Sequence, residues 1–332
     1  MKIVIAEDEH PLLDEIRRQP SVTVDVVAAS SGGWKAGPGV LDAEVMLATH
    51  PPGNLRSMKE LRWIQLGSAG FEQLFDLPLV EMGITVTNSS GVNDVPIAEW
   101  CLGMMFLFER DFRKMLENQK DHVWNRDPKF QAELRGRLVG ILGYGNIGRE
   151  VARQCRALGL RVWVMSRRLG PQKPDRYMVD GTGDPEGTLP ERTFSLEQMA
   201  DFLPQLDYLV LALPRTPRTE GILRARELAQ LKPSAVLLNP ARAELIEESA
   251  LLDALRSGRI AGAALDVHYS FPLSPENLLW EMPNVIITPW ISGSTGSPYY
   301  QSRLWELFHK NLERYSAGRP LLNVIQAADL SR

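Results

Sequence analysis

One stretch constrains this chain more than any other: Arg137-Leu138-Val139-Gly140-Ile141-Leu142 followed by Gly143-Tyr144-Gly145-Asn146-Ile147-Gly148. An apolar run of strand length ends in a G-x-G-x-x-G pattern, and a helix-forming segment follows as far as Gly159. The glycine spacing alone is weak evidence. Between a strand and a helix it predicts the βα turn that cradles a dinucleotide pyrophosphate. Gly143 permits the tight turn, Gly145 lets the backbone approach the phosphates, and Gly148 lets helix and strand pack closely. The helix then presents free N–H groups and its positive dipole end to the anion. Tyr144, Asn146 and Ile147 fill the turn and join the three glycines as candidate cofactor contacts. A glycine-rich turn that binds nothing is the competing interpretation.

The rest of the chain repeats this alternation. Strand-length apolar runs occur at 3–6, 22–28, 45–49, 63–66 and 84–88, then at 160–165, 208–213, 235–239, 261–266 and 285–288. Helix-like polar segments separate them, so the expected fold class is α/β with parallel sheets. Residues 96–118 read as one long helix, with Ile97, Trp100, Cys101, Met104, Met105, Phe108 and Phe112 at helical spacing. Residues 304–316 read as a closing helix. Residues 169–193 hold four prolines and four glycines and read as a long loop, either an insertion or a lid. At 332 residues the chain is long enough for two domains.

The strand after the fingerprint helix ends in Val164-Met165-Ser166-Arg167-Arg168. An acid at that place would hold the ribose 2′-hydroxyl of NAD. A hydroxyl and two guanidinium groups suit a 2′-phosphate instead, because the arginine fork binds phosphate bidentately. NADP(H) is therefore the expected cofactor, with NAD(H) as the alternative and Arg167 the first choice for the phosphate contact.

Composition excludes other classes. With 37 basic against 41 acidic residues the net charge is −4, so no global basic footprint for nucleic acid exists. The arginines 149, 153, 156 and 161 read as a solvated face. Two cysteines, Cys101 and Cys155, cannot form a disulfide framework and read as buried thiols of a reducing compartment. No apolar run approaches the ~18 residues of a membrane span, and the acidic start is unlike a signal peptide. The expectation is a cytoplasmic protein. No His or Cys pair has metal-ligand spacing, so no metal is expected.

Several further motifs join the fingerprint: Gly67-Ser68-Ala69-Gly70, Pro96-Ile97-Ala98-Glu99, Pro214-Arg215-Thr216-Pro217-Arg218-Thr219, Leu238-Asn239-Pro240-Ala241-Arg242, Ala264-Leu265-Asp266-Val267 and Asn284-Val285-Ile286-Ile287-Thr288-Pro289. Together they make the chain resemble, over nearly its whole length, the D-isomer-specific 2-hydroxyacid dehydrogenase family. The Ser-Arg pair after the second strand is similar to that of its NADP-preferring glyoxylate and hydroxypyruvate reductases. The resemblance implies two Rossmann- or flavodoxin-like domains with a catalytic cleft between them. The substrate domain is expected over 1–98 and 290–332, and the cofactor domain, inserted over 99–289, is expected to form a homodimer. It implies hydride transfer between nicotinamide and a small carboxylate-bearing 2-keto or 2-hydroxy acid. Arg242 is implied as the substrate cation, and Ser68, Ala69 and Gly70 as backbone donors to the carboxylate. Leu213, Pro214, Thr219 and Asp266 are implied at the cofactor, although Asp266 also fits a plain turn cap.

The chain departs from the family at the proton donor. The family's Thr-Pro-His reads Thr288-Pro289-Trp290 here, and its Glu partner is replaced by Phe271. An indole N–H donates a hydrogen bond but does not titrate, so Trp290 can orient a carbonyl without protonating it. Two aromatics predict a drier, less polar site. Candidates for a substitute acid are His50, at a strand's carboxyl end, then Tyr299 or Tyr300, then His268. A nucleotide-binding sensor or scaffold without turnover is the alternative to an enzyme with a changed proton relay.

Overall fold

The computed structural model describes residues 1–28, 33–167 and 170–330; Arg168 lies outside them. The chain divides into two compact units.

The first unit holds Met1–Asn93, Lys173–Asp180 and Thr295–Arg332. Its five strands are β1 (Lys2–Ala6), β2 (Thr23–Val26), β3 (Val45–Ala48), β4 (Trp63–Gln65) and β5 (Thr85–Thr87). They form one parallel sheet in the order β2-β1-β3-β4-β5. The middle strands are covered on both faces, which is why they read as unbroken apolar runs. Helix Pro298–Ser316 begins on the Ser297 hydroxyl, which accepts from the Tyr300 N–H, and carries proline at its first position. It buries Leu304, Trp305, Leu307, Phe308 and Leu312 against Ile3, Ile5, Val45, Leu47 and Trp63. Ala6 pairs with Ala48 across β1 and β3, so the chain leaves both strands side by side, into Glu7 and Thr49.

The second unit holds Asp94–Gln172 and Gly181–Ser294. Its strands are β6 (Leu138–Leu142), β7 (Arg161–Met165), β8 (Arg192–Phe194), β9 (Tyr208–Leu211), β10 (Val236–Asn239), β11 (Gly262–Leu265) and β12 (Val285–Ile287). The order β12-β11-β10-β9-β6-β7-β8, all parallel, is the doubly wound arrangement, with its reversal between β6 and β9. Two buried clusters cover the two faces, one including Phe202, Leu209, Leu237 and Leu265 and the other Ile97, Cys101, Val151 and Val210.

Three expectations need correction. The helix over 96–118 is two helices, Asp94–Arg110 and Phe112–Lys120. Asp111 breaks it by taking a left-handed conformation (φ 47°) while its carboxylate caps the Lys114 N–H. Short polar residues favour both roles, and the apolar spacing ran across the break without marking it. The segment 169–193 is not all loop: Arg192–Phe194 pairs with β7 as an edge strand. Arg149 is not solvated. It is 5% exposed, its guanidinium donates to the carbonyls of Asp184 and Gly170, and it stands over the Tyr144 ring at 4.6 Å.

Among the described residues no helix is long and apolar enough to cross a membrane. Among them, no three His, Cys, Asp or Glu side chains are grouped to hold a metal ion. Both cysteines are buried free thiols, and burial pushes each up in pKa.

Candidate functional site

In the second unit the fingerprint closes as its glycines require. Gly143 has φ +107°, and a Cβ there would strike the carbonyl oxygen of Ala212 at the end of β9. A Cβ on Gly148 would strike the carbonyl of Gly143. Gly145 faces open space. It precedes helix Asn146–Ala157, whose N-cap, Gly145, brings no side chain to the helix end. Such a helix end beside bare backbone, at the sheet's reversal point, fits a pyrophosphate. Ile147 packs toward the core. The Tyr144 side chain is buried and donates to Asp184, which leaves only its backbone for a ligand. Asp184 also accepts from the N–H groups of Gly187, Thr188 and Leu189, and Gln172 donates to the Asn146 side chain. The segment flanking 173–180 is thus tied to the fingerprint rather than hanging free.

Beyond β7, the Ser166 N–H donates to Phe194. Arg167 is exposed and pairs with no carboxylate among the described residues. The loop after β9 is closed by Thr219, whose hydroxyl donates to Pro214 and accepts from the Thr216 N–H. Leu213 packs against the core and lies beside Gly143.

At the carboxyl ends of β10, β11 and β12 a second group gathers. The buried Asn239 amide braces the turn by donating to the Arg242 carbonyl (2.8 Å) and accepting from Ala241 N–H (3.1 Å). The Arg242 guanidinium donates to Ala241 O and lies 5.9 Å from the Trp290 ring centre. Trp290 has φ +57°, a strained conformation for a bulky residue. Asp266 enforces it. The carbonyl of Asp266 accepts from Trp290 N–H, and its fully buried carboxylate accepts from Thr288 Oγ1 (2.6 Å), Ile291 N–H (2.9 Å) and Ser292 N–H (2.9 Å). The turn-cap role of Asp266 is therefore built. Phe271 meets Trp290 edge to face, with ring centres 5.6 Å apart. The pair is not the dry wall expected: Phe271 is 75% and Trp290 56% exposed. His268 Nε2 must carry its hydrogen to bond the Thr288 carbonyl. Its Nδ1 is then a bare, buried acceptor with no partner among the described residues, which suits no proton donor.

In the first unit the Gly67–Gly70 loop has every carbonyl engaged. Tyr300 Oη donates to Gly67, Ser89 N–H to Ser68, Asn88 Nδ2 to Ala69, and Ser68 Oγ to Gly70. Gln73 holds the Ser68 hydroxyl and the Thr49 carbonyl. The N–H groups of Ser68, Ala69 and Gly70 meet no acceptor among the described residues. Three donors left over from a pinned loop are what a carboxylate requires. Tyr300 is committed as a donor, and burial pushes its hydroxyl up in pKa. Tyr299 is 71% exposed. His50 is exposed, and its ring bonds to no described residue.

Sequence reasoning passed over Glu7. Its carboxylate accepts from Thr49 N–H, and burial pushes its pKa up. A Cβ on Gly67 would lie 2.7 Å from Glu7 Oε1. In sequence it belongs to an acidic run, Glu7-Asp8-Glu9, that looks like solvated surface. Its one available signal was its place directly after an apolar strand.

Comparison with known proteins agrees with this geometry. Residues 102–292 match the model of the D-isomer specific 2-hydroxyacid dehydrogenase NAD binding domain. Glycerate dehydrogenase of Methylorubrum extorquens is 29% identical, over 86% of both chains. D-3-phosphoglycerate dehydrogenase of Archaeoglobus fulgidus is 27% identical over 86% of this chain, which spans 49% of that relative's length. Among solved structures, the NADPH-dependent glyoxylate/hydroxypyruvate reductase of Sinorhizobium meliloti, in complex with NADP and sulfate, superposes with a TM-score of 0.75 at 25% identity over 99% of each chain. A D-isomer specific 2-hydroxyacid dehydrogenase of Xanthobacter autotrophicus in complex with NADPH and MES gives 0.79 at 26%. With the doubly wound sheet and its fingerprint, these matches establish that the chain belongs to the D-isomer specific 2-hydroxyacid dehydrogenase family.

Proposed function

We propose that the protein is an NADP(H)-dependent reductase of a small 2-keto acid, or the reverse dehydrogenase of the 2-hydroxy acid. The observation that carries this reading is the coexistence of two preserved anion devices: the open fingerprint turn and the Ser68–Gly70 loop with its three unclaimed N–H groups. Gly143 to Gly148 would hold the pyrophosphate, while Leu213, Pro214 and Thr219 shape the edge beside it. Asp266 has room for one more donor on its carboxylate beyond the three it accepts, enough for the nicotinamide carboxamide. The bound cofactor supplies the hydride. Arg242 supplies the cation that steadies the carboxylate and the developing charge on the keto oxygen. Trp290 orients that oxygen, and the proton comes from the carboxyl edge of β1 and β3, where His50 stands. The direct test is NADPH oxidation against a panel of 2-keto acids. The loss of the family's acid pair favours one second reading, a nucleotide-binding protein without turnover. NADPH binding without reduction of any panel member would select it.

Cofactor choice rests on Ser166, Arg167 and Arg168. Arg167→Ala should raise the NADPH dissociation constant about 10- to 100-fold, the worth of one charge-assisted phosphate contact, and leave NADH nearly unchanged. Equal effects on both cofactors would remove the 2′-phosphate assignment. The S. meliloti and X. autotrophicus neighbours were solved with NADP and NADPH.

The homodimer is proposed through the cofactor-binding unit. Phe106, Phe112, Leu116, Val123 and Trp124, on helices Asp94–Arg110 and Phe112–Lys120 and just beyond, are exposed. Apolar exposure on that scale marks an association surface. Sedimentation should show a single species of twice the chain mass. A monomer at all concentrations would refute it.

A further inference from the structure

On the reductase reading, the keto oxygen must receive a proton, and neither Trp290 nor Phe271 has one to give. We propose that Glu7 is the relocated proton donor, a carboxylic acid placed behind the Gly67–Gly70 loop at the carboxyl edge of the first unit's sheet.

The placement follows from topology. In the order β2-β1-β3-β4-β5 the winding reverses between β1 and β3, and open parallel sheets bind ligands outside the carboxyl ends at such a reversal. The residues leaving the strands there are Glu7 after β1, Thr49 and His50 after β3, and Gly67 two residues beyond β4. Thr49 N–H donates to Glu7 Oε1. The missing side chain of Gly67 creates the space the carboxyl fills, since a Cβ would stand 2.7 Å from Oε1. The loop beginning at Gly67 turns its carbonyls inward and leaves the N–H groups of Ser68, Ala69 and Gly70 for a carboxylate. In a 2-keto acid the reacting carbonyl is one carbon–carbon bond from that carboxylate. A donor beside the loop is therefore a donor beside the reacting oxygen.

The surroundings favour the protonated form. Desolvation raises the Glu7 carboxyl above its ordinary range and outweighs the hydrogen bonds from Thr49. Asp8, next in the chain, raises it further, and His50 lowers it. Tyr300 faces it from helix Pro298–Ser316, with its own hydroxyl kept neutral by burial. The step balances. Hydride addition forms the C–H bond at C2, and the π pair of the carbonyl moves to oxygen. That oxygen takes the proton from the Glu7 carboxyl, leaving a carboxylate that regains a proton from water. Reduction then runs while Glu7 is protonated and fades as pH rises through its raised pKa.

Glu7→Gln keeps an acceptor for the Thr49 N–H and cannot give a proton. For the whole protein with NADPH and its best keto acid, kcat should fall about 10²- to 10⁴-fold, the usual worth of a general acid. The keto-acid KM and the NADPH dissociation constant should stay within a few fold. The alkaline decline of the wild-type profile should vanish. Glu7→Asp should restore part of the rate and the decline, which a residue that only shapes the loop would not do. Carbon-13 titration of glutamate carboxyls, with the Glu7 signal assigned by its absence in Glu7→Gln, should give a midpoint above the ordinary ~4.3 that moves when oxamate and NADP⁺ are added. An ordinary midpoint unmoved by oxamate overturns the proposal, as does a Glu7→Gln enzyme that keeps its kcat and its alkaline decline while wild type turns over. A wild type that binds NADPH and reduces no keto acid overturns the reductase reading itself, and the proposal with it.

Discussion

Arg242→Ala should lower kcat/KM about 10³-fold or more for any 2-keto acid the protein reduces, with NADPH affinity unchanged. The guanidinium leaves the carboxyl end of β10 on a turn fixed by a buried amide, Asn239, which accepts from the Ala241 N–H and donates to the carbonyl of Arg242 itself. It is aimed further by its donation to Ala241 O and by the Trp290 ring at 5.9 Å. A cation held so firmly reorganises little when charge develops on the keto oxygen. Removing a single preorganised donor of that kind costs about 2.7–4 kcal/mol, or 10²- to 10³-fold. On the proposed function Arg242 would also meet the substrate carboxylate, a charge-assisted contact that brings the expected total to 10³ or beyond. Arg242→Lys keeps the charge without the planar fork, so it should recover only part of the loss. Steady-state NADPH oxidation measures both. An alanine variant with near-normal kcat/KM would show that the cation lies elsewhere.

Strand positions were legible because both sheets are parallel and covered on both faces, so burial writes unbroken apolar runs into the sequence. The fingerprint was legible because each of its glycines answers a local demand, which the Gly143 and Gly148 contacts bear out. What escaped notice depends on partners remote in sequence. Arg149 has the look of one more charged helix residue until Gly170 and Asp184 supply carbonyls for it. Asp111 breaks a helix that apolar spacing alone continues. Glu7 owes its environment to Thr49, 42 residues away, and to Gly67, 60 away. Such residues are invisible to periodicity, which reports faces and not neighbours. Phe271 and Trp290 stand 19 positions apart in the sequence, yet their rings meet. Their exposure was not legible, because it depends on a left-handed turn that no apolar pattern encodes.

That turn carries the second large effect. Asp266→Ala should destabilise the protein by about 3 kcal/mol and lower the melting temperature of the unit that contains it by about 6–12 °C. The substitution strips the acceptor from Thr288 Oγ1, Ile291 N–H and Ser292 N–H together. A buried donor left unpaired costs about 1–3 kcal/mol. Ser292 is 4% exposed and Thr288 half-buried, whereas Ile291 is 55% exposed and can turn to water, so the sum falls below three full penalties. The consequence reaches the site. Trp290 holds φ +57° only because the residues around it are over-determined by Asp266, and a strained residue released from its restraints relaxes toward ordinary backbone. Its ring then leaves Arg242, and the rate falls beyond what stability alone explains. Asp266→Asn separates the two effects. The amide keeps one acceptor but turns an NH₂ toward an N–H or hydroxyl donor, so it should cost less stability than alanine and still disturb the turn. Thermal unfolding with and without NADPH, run beside kcat at a temperature where all variants are folded, measures both. A melting temperature within 2 °C of wild type, or a normal rate in folded Asp266→Ala, would show that the turn does not depend on this carboxylate.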